Sequence, residues 1–280
     1  MPFLELFDET LDINSTENYE LSLQVAISGL SFSILDRLRN KFVLIRSHKP
    51  DEDKYFTTDE LGEIIGKDDF LTKRYKKLSI ITPSIRFTIV PSPLFDPAKK
   101  GEYFSLNHGM EENTLLLINK IADPDAYLIF PLLSPLDELL NRIYPGLQHM
   151  HHLKPLLRHI SQSRKGVTGH YIHIHAEREF FNLIVFDHNT MRFCNAFTYK
   201  NISDILYFVI NVFKRLSIPQ EETIFLSGTT DKENDLVTGL ATYLRSVKFA
   251  GPAGTFTFSY VFTETEIHRY LNLFSVINCE

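Results

Sequence analysis

The 280-residue sequence is poor in cysteine: Cys194 and Cys279 stand 85 positions apart, and no Cys-x-x-Cys occurs. A disulfide framework is excluded, and a reducing cytoplasm is the expected compartment. The first twenty residues hold six acidic side chains and no Lys, Arg or His, the reverse of a secretion signal. Long apolar runs are also missing. The longest helix-like stretch, Ile205 to Phe213, is interrupted by Asn211 and stopped by Lys214 and Arg215, far short of the ~20 apolar residues a bilayer demands, so no membrane span is predicted. Nor is basic charge in excess. Lys and Arg total 29 against 35 Asp and Glu, a formal net charge of −6, and nucleic acid is not an expected partner. What is present, 44% hydrophobic and 23% charged residues, suits a globular protein and excludes disorder, collagen and coiled coil. The length fits one large domain or two related halves.

The chain then reads as alternating meanders and helices. Glu20 to Lys49 carries three short apolar runs separated by Ser28-Gly29 and by Asp36 to Asn40, a three-stranded meander. Asp51, Glu52 and Asp53 form a linker, and Thr57 or Thr58 before Asp59 and Glu60 caps a helix to about Gly66. Ser84 to Val90 alternates with period two and stops at Pro91. Leu115 to Ile121 and Ala126 to Phe130 form a strand pair around Asp123-Pro124-Asp125, and Ser134-Pro135 opens a helix with Ser at the cap. A second meander, HYIHIHA, FFNLIVFD and MRFCNAF, begins near Gly169, and its hairpin ending at Asp187 repeats the one ending at Asp36. Helices over Ser203 to Leu216 and Asp235 to Arg245 flank a strand at Thr223 to Leu226, with short strands near Lys248 to Ala250 and Phe256 to Phe262. Mixed sheets with helices on their faces follow from this order.

The familiar chemical motifs are mostly absent. There is no nucleophile elbow, P-loop or dinucleotide fingerprint. His175-Ala176-Glu177 spells half of a zinc deaminase signature whose Pro-Cys-x-x-Cys half is missing. The first strand of each meander lacks the carboxylate that a two-metal nuclease requires. His173 and His175 share one strand face and are the metal-ligand spacing to consider, but no third ligand is identifiable, so no metal is expected. His149, His151 and His152 are read as the start of a connecting segment before Pro155. Lys73, Arg74, Lys76 and Lys77 are read as a solvated helix end.

The order of two meanders, each followed by helix, strand and helix, resembles the duplicated actin-like ATPase fold. More closely, LSLQVAISGLSFSILD, FTIVPSPLF and SPLDELLNRIYPGLQHMHHLKPLLRHI resemble an uncharacterised bacterial family, known only as a domain of unknown function, in the actin-like class. The resemblance implies an α/β protein of two ribonuclease H-like halves, each a mixed sheet flanked by helices. An acidic N-terminal arm would cover residues 1–18, the first half 19–165 and the second 166–280. Active members hold phosphates in two Asp-x-Gly hairpins and adenosine at a late Gly-Gly turn. Here the first hairpin reads Ile27-Ser28-Gly29, with Ser31 beyond it. The second reads His175-Ala176-Glu177-Arg178, and the late turn Ser227-Gly228-Thr229 keeps one glycine. Ser28, Gly29, Ser31, Arg178, Ser227, Gly228 and Thr229 are therefore the nucleotide-cleft candidates, in loops that have lost the acids placing magnesium. Function is expected to be that of a non-catalytic scaffold, a pseudo-ATPase with no cofactor, binding a protein partner. The alternative is a nucleotide-binding switch or weak ATPase holding ATP with magnesium.

Overall fold

The computed structural model describes residues 2–51, 54–229, 233–262 and 267–279, so Glu52 and Asp53 of the expected linker lie outside the described residues. Two compact units divide the chain: residues 1–156 with 254–265 and 273–280, and residues 157–253 with 266–272. The contiguous split expected at 165/166 differs in giving the C-terminal returns to the second half.

The first unit contains β1 (Leu4–Phe7), β2 (Tyr19–Ala26), β3 (Gly29–Asp36), β4 (Lys41–His48), α1 (Thr58–Lys67), β5 (Lys77–Thr82), β6 (Thr88–Pro91), α2 (Lys100–Ser105), β7 (Thr114–Ile121), β8 (Ala126–Leu133), α3 (Ser134–Ile143) and β9 (His149–His151). Its main sheet runs β1-β4-β3-β2-β5-β9. The expected acidic arm thus contributes an edge strand. The meander β2-β3-β4 is antiparallel, whereas β5 joins β2 in parallel and β9 joins β5 in parallel. Alternation along β2 sends Leu21, Leu23 and Val25 to one face, where Leu61 and Ile65 of α1 and Leu136, Leu139 and Leu140 of α3 cover them. Helix α1 starts where the sequence placed it: Glu60 N–H donates to Thr57 Oγ1 at 3.2 Å, and Thr57 N–H donates to Glu60 Oε2 at 2.7 Å. Such a capping box is worth about 1 kcal/mol. β6, β8 and β7 form a separate antiparallel sheet, packed on α2 through Val90, Phe104, Leu116 and Ile129.

Helix α4 (Leu153–Ser163) crosses into the second unit, which holds β10 (His170–Ala176), β11 (Phe180–Asp187), β12 (Thr190–Thr198), α5 (Ile202–Leu216), β13 (Thr223–Gly228), α6 (Glu233–Ala241) and β14 (Ser246–Phe249). Its sheet runs β12-β11-β10-β13-β14, antiparallel through the meander and parallel beyond it. That is the order and direction of β4-β3-β2-β5-β9, and Asp36 and Asp187 end corresponding strands. Asn201 and Asp204 make a second capping box at α5. The chain closes with β15 (Thr257–Phe258), parallel to β4, and α7 (Leu271–Ser275).

Several local expectations change. Lys73, Arg74 and Lys76 sit on the loop into β5, not on a helix end, because α1 stops at Lys67. The run from Ser84 is a strand only from Thr88. Ser134 is the first helical residue, and its predecessor Leu133 is the N-cap. The helix expected to reach Arg245 ends at Ala241, and Phe256 to Phe262 keeps a two-residue strand before a short 3₁₀ turn.

Candidate functional site

Strand alternation brings the second unit's polar side chains together. On β10, Ile172, Ile174 and Ala176 join the core beneath α5 and α6, so His173 and His175 take the opposite face. Parallel pairing with β13 sets Ser227 across from His175. The Ser227 hydroxyl meets both rings, His173 Nε2 at 2.7 Å and His175 Nδ1 at 2.8 Å. His175 Nε2 lies 3.3 Å from Glu177 Oε1 and 3.1 Å from the Asn272 amide. A carboxylate only accepts, so a proton on His175 Nε2 is donated to Glu177, and the Asn272 amide then turns its oxygen, which otherwise has no hydrogen-bond partner among the described residues, in place of Nδ2 toward that proton. Nδ1 then accepts from the Ser227 hydroxyl, whose oxygen accepts from His173 Nε2–H. The relay ends at His173 Nδ1, buried and without a hydrogen-bond partner among the described residues.

These groups are all buried, and for His173 burial disfavours the charged ring. It holds His173 well below the ordinary histidine range, with His159 and His175 acting in the same direction. His159 of α4, whose ring centre is 6.1 Å from that of His173, is pushed down to about 4 by burial and by His175. Both are neutral imidazoles at pH 7.

The β10–β11 turn is clamped around this relay. Glu177 N–H donates to the Phe180 carbonyl at 2.8 Å, the Tyr199 hydroxyl to the Glu177 carbonyl at 2.7 Å, and Tyr199 N–H to the Glu179 carbonyl at 3.1 Å. Arg178 is the middle residue of that turn. At the end of β13, Gly228 has φ +88°, and a Cβ there would stand 2.0 Å from the Ala176 carbonyl oxygen. Close approach of two strand ends is what demands glycine. Thr229 N–H donates to the same carbonyl at 2.8 Å. Beside these strand ends lies a cavity of about 10 Å³, lined by Ala176, Leu226, Gly228, Leu236, Phe249 and His268, with room for a single water.

The remaining candidates belong to the first unit. Ser28 lies in the two-residue turn between β2 and β3, where the Ile27 carbonyl accepts from Phe56 N–H at 2.8 Å. Gly29 opens β3, and the Ser31 and Ser47 hydroxyls share a hydrogen bond of 2.8 Å. The seven candidates therefore form two groups, Ser28, Gly29 and Ser31 in one unit and Arg178, Ser227, Gly228 and Thr229 in the other.

His149 to His151, expected in a connecting segment, form β9. Asn119 donates to the His149 carbonyl at 3.0 Å and accepts from His151 N–H at 2.7 Å, His149 Nε2 is 3.1 Å from Asp137, and His151 Nε2–H donates to the Ser84 carbonyl at 2.9 Å. Among the described residues no group of three or more His, Cys, Asp or Glu is placed to hold a metal ion, and no helix is long and apolar enough to cross a membrane.

A protein-family model, described as protein of unknown function (DUF3822), matches residues 8–247. The chain belongs to the DUF3822 family. A Bacteroides thetaiotaomicron VPI-5482 protein of actin-like ATPase fold and unknown function is 23% identical, matching 88% of this chain and 96% of its own with a TM-score of 0.79. A structure of the PilM–PilN type IV pilus biogenesis complex is 12% identical, matching 92% of this chain and 98% of its own with a TM-score of 0.59. No curated protein matches the chain. With the duplicated strand order, these likenesses make this DUF3822 chain an α/β protein of the actin-like ATPase fold, and they reach no further than the fold.

Proposed function

We propose that this DUF3822 chain is a non-catalytic actin-like scaffold, a pseudo-ATPase, that binds a protein partner in a bacterial cytoplasm. The observation that carries the reading is the use of Ser227 and Gly228. The serine hydroxyl is held between two buried histidines, and the glycine is pressed on the Ala176 carbonyl, so both serve the packing of their own strands. Phosphoryl transfer depends on positioned metal and hydrogen-bond donors. The first hairpin offers Ile27 where an acid would place magnesium. The second offers Glu177, and a like charge at 4 Å costs about 4 kcal/mol at an effective dielectric of about 20, which Arg178 offsets in part. Support for a partner comes from the PilM–PilN neighbour, an assembly of two proteins whose structure shares this fold. Sparse cysteine, two residues 85 positions apart with no Cys-x-x-Cys, supports the reducing compartment.

The test joins calorimetric titration with magnesium-ATP, a phosphate-release assay, and purification from the source cells. The scaffold reading expects no heat at micromolar ligand, no turnover, and one unrelated chain co-purifying in stoichiometric amount. Micromolar binding with turnover would overturn it.

A further inference from the structure

An edge strand exposes unpaired main-chain groups, and natural sheets guard such edges by short length, proline, charge or a covering element. Five edges of the described sheets are guarded. β1 and β14 are four residues long, with Glu5 paired to Arg46 on the first and Lys248 on the second. β9 has three residues, and β6 ends in Pro91. β7 is longer, but Asn119 ties it to β9.

β12 is the exception. It is nine residues long and, among the described residues, pairs with β11 on one side alone. A register shift sets Arg192 apart and leaves Phe193 to Thr198 regular, a stretch without charge, proline or glycine. Tyr199 N–H bonds inward to Glu179, so by alternation the main-chain groups of Cys194, Ala196 and Thr198 point outward. Ala196 N–H is met by its neighbour Asn195, at 2.9 Å from Oδ1. Those of Cys194 and Thr198 meet no acceptor among the described residues. An aromatic row flanks this edge: Phe193 and Phe197 are 6.2 Å apart, Phe197 stacks on Phe208 at 4.2 Å, and Phe208 meets Tyr207, which is 64% exposed, at 5.4 Å.

We propose that two copies of this chain pair through the outer edge of β12, antiparallel about a two-fold axis at Ala196. Ala196 then faces its own counterpart and Cys194 faces the partner's Thr198, each pair exchanging main-chain hydrogen bonds, the Ala196 N–H leaving Asn195 Oδ1 for the partner's Ala196 carbonyl. Shape and the absence of charge in the paired segment favour a second copy as the occupant. From Cys194 to Thr198 no charge opposes another and a small side chain lies on the axis, while Arg192 and the partner's Lys200, which this register sets opposite each other, lie beyond the paired segment at exposed positions. Phe197 sits diagonally from the partner's Phe197, within aromatic reach.

Sedimentation equilibrium of the full chain over about 1 to 200 μM, with hydrogen exchange at both ends of that range, tests the pairing. The expected result is a dimer in which the amides of Cys194, Ala196 and Thr198 exchange at least about tenfold more slowly at high concentration. Asn195→Lys, at an exposed position, sets two like charges beside the axis. Thr198→Pro removes an outward donor and spares the β11 side. Each should weaken the dimer at least about tenfold while leaving circular dichroism and the melting temperature of the dilute monomer unchanged. A monomer at 200 μM, a dimer indifferent to both variants, or a dimer with those amides unprotected would overturn the proposal. So would a monomer that takes up an extended peptide at these amides, which would make the occupant a foreign strand.

Discussion

In the first unit the turn between β2 and β3 is two residues long, and the polar positions near it carry short hydroxyls such as Ser31 and Ser47, bonded to each other. In the second unit the corresponding turn, between β10 and β11, is longer and rests on a buried relay of His173, Ser227, His175 and Glu177. Strand order and direction are the same. One framework thus holds one turn lightly with main-chain bonds and locks the other with buried side chains; on the function proposed above, that locking takes up the hydroxyl a ligand would need.

The sharpest contrast is between the two glycines. Gly228→Ala drives a Cβ to 2.0 Å from a backbone oxygen at φ +88°, so a loss above about 3 kcal/mol is expected. Gly29→Ala meets the His48 carbonyl at 3.3 Å with no positive φ, so less than about 1 kcal/mol is expected. Urea unfolding of the two variants measures both, and equal losses would show that the two strand ends are packed alike.

Acid comes next. His159 titrates near 4 folded against 6.5 in its reference state, so the unfolded chain binds the extra proton first as pH falls. The stability is full above pH 6.5 and drains as pH drops toward 4, by about 3 kcal/mol for this group alone. Buried His173 pulls in the same direction. Melting temperatures from pH 7 to 4 should therefore fall steeply, and His159→Phe should flatten the fall.

Ser227→Ala leaves two buried ring nitrogens without their partner and should cost about 2 kcal/mol, while Ser31→Ala should cost about 1 or less. The smallest contrast should vanish. Thr57→Ala and Asn201→Ala each remove one capping box, one per unit, so thermal unfolding should show similar losses of about 1 kcal/mol. Unequal values would place asymmetry in the helix ends as well as in the turns.

Both meanders, the Thr57 cap and the β7–β8 pair were legible because period-two alternation and turn residues are local signals. β5 and β9 were not. KLSIIT follows a basic run that hides its start, and HMH is three residues whose strand character comes from pairing with β5. The relay was half legible: the shared face of His173 and His175 follows from alternation, but Ser227 is about fifty residues away and reaches them through a parallel pairing that no local pattern specifies. The same holds for Gly228, read as a survivor of a ligand turn, whose close neighbour is the Ala176 carbonyl.

The most direct test of a locked second turn is nitrogen-15 NMR of the His173 and His175 rings during titration with magnesium-ATP to millimolar concentration. The expected result is a neutral His173, a His175 proton on Nε2, and ring signals that do not move as nucleotide is added. Saturable shifts of both rings at micromolar nucleotide would show the relay opening for a ligand, and would contradict the locked turn.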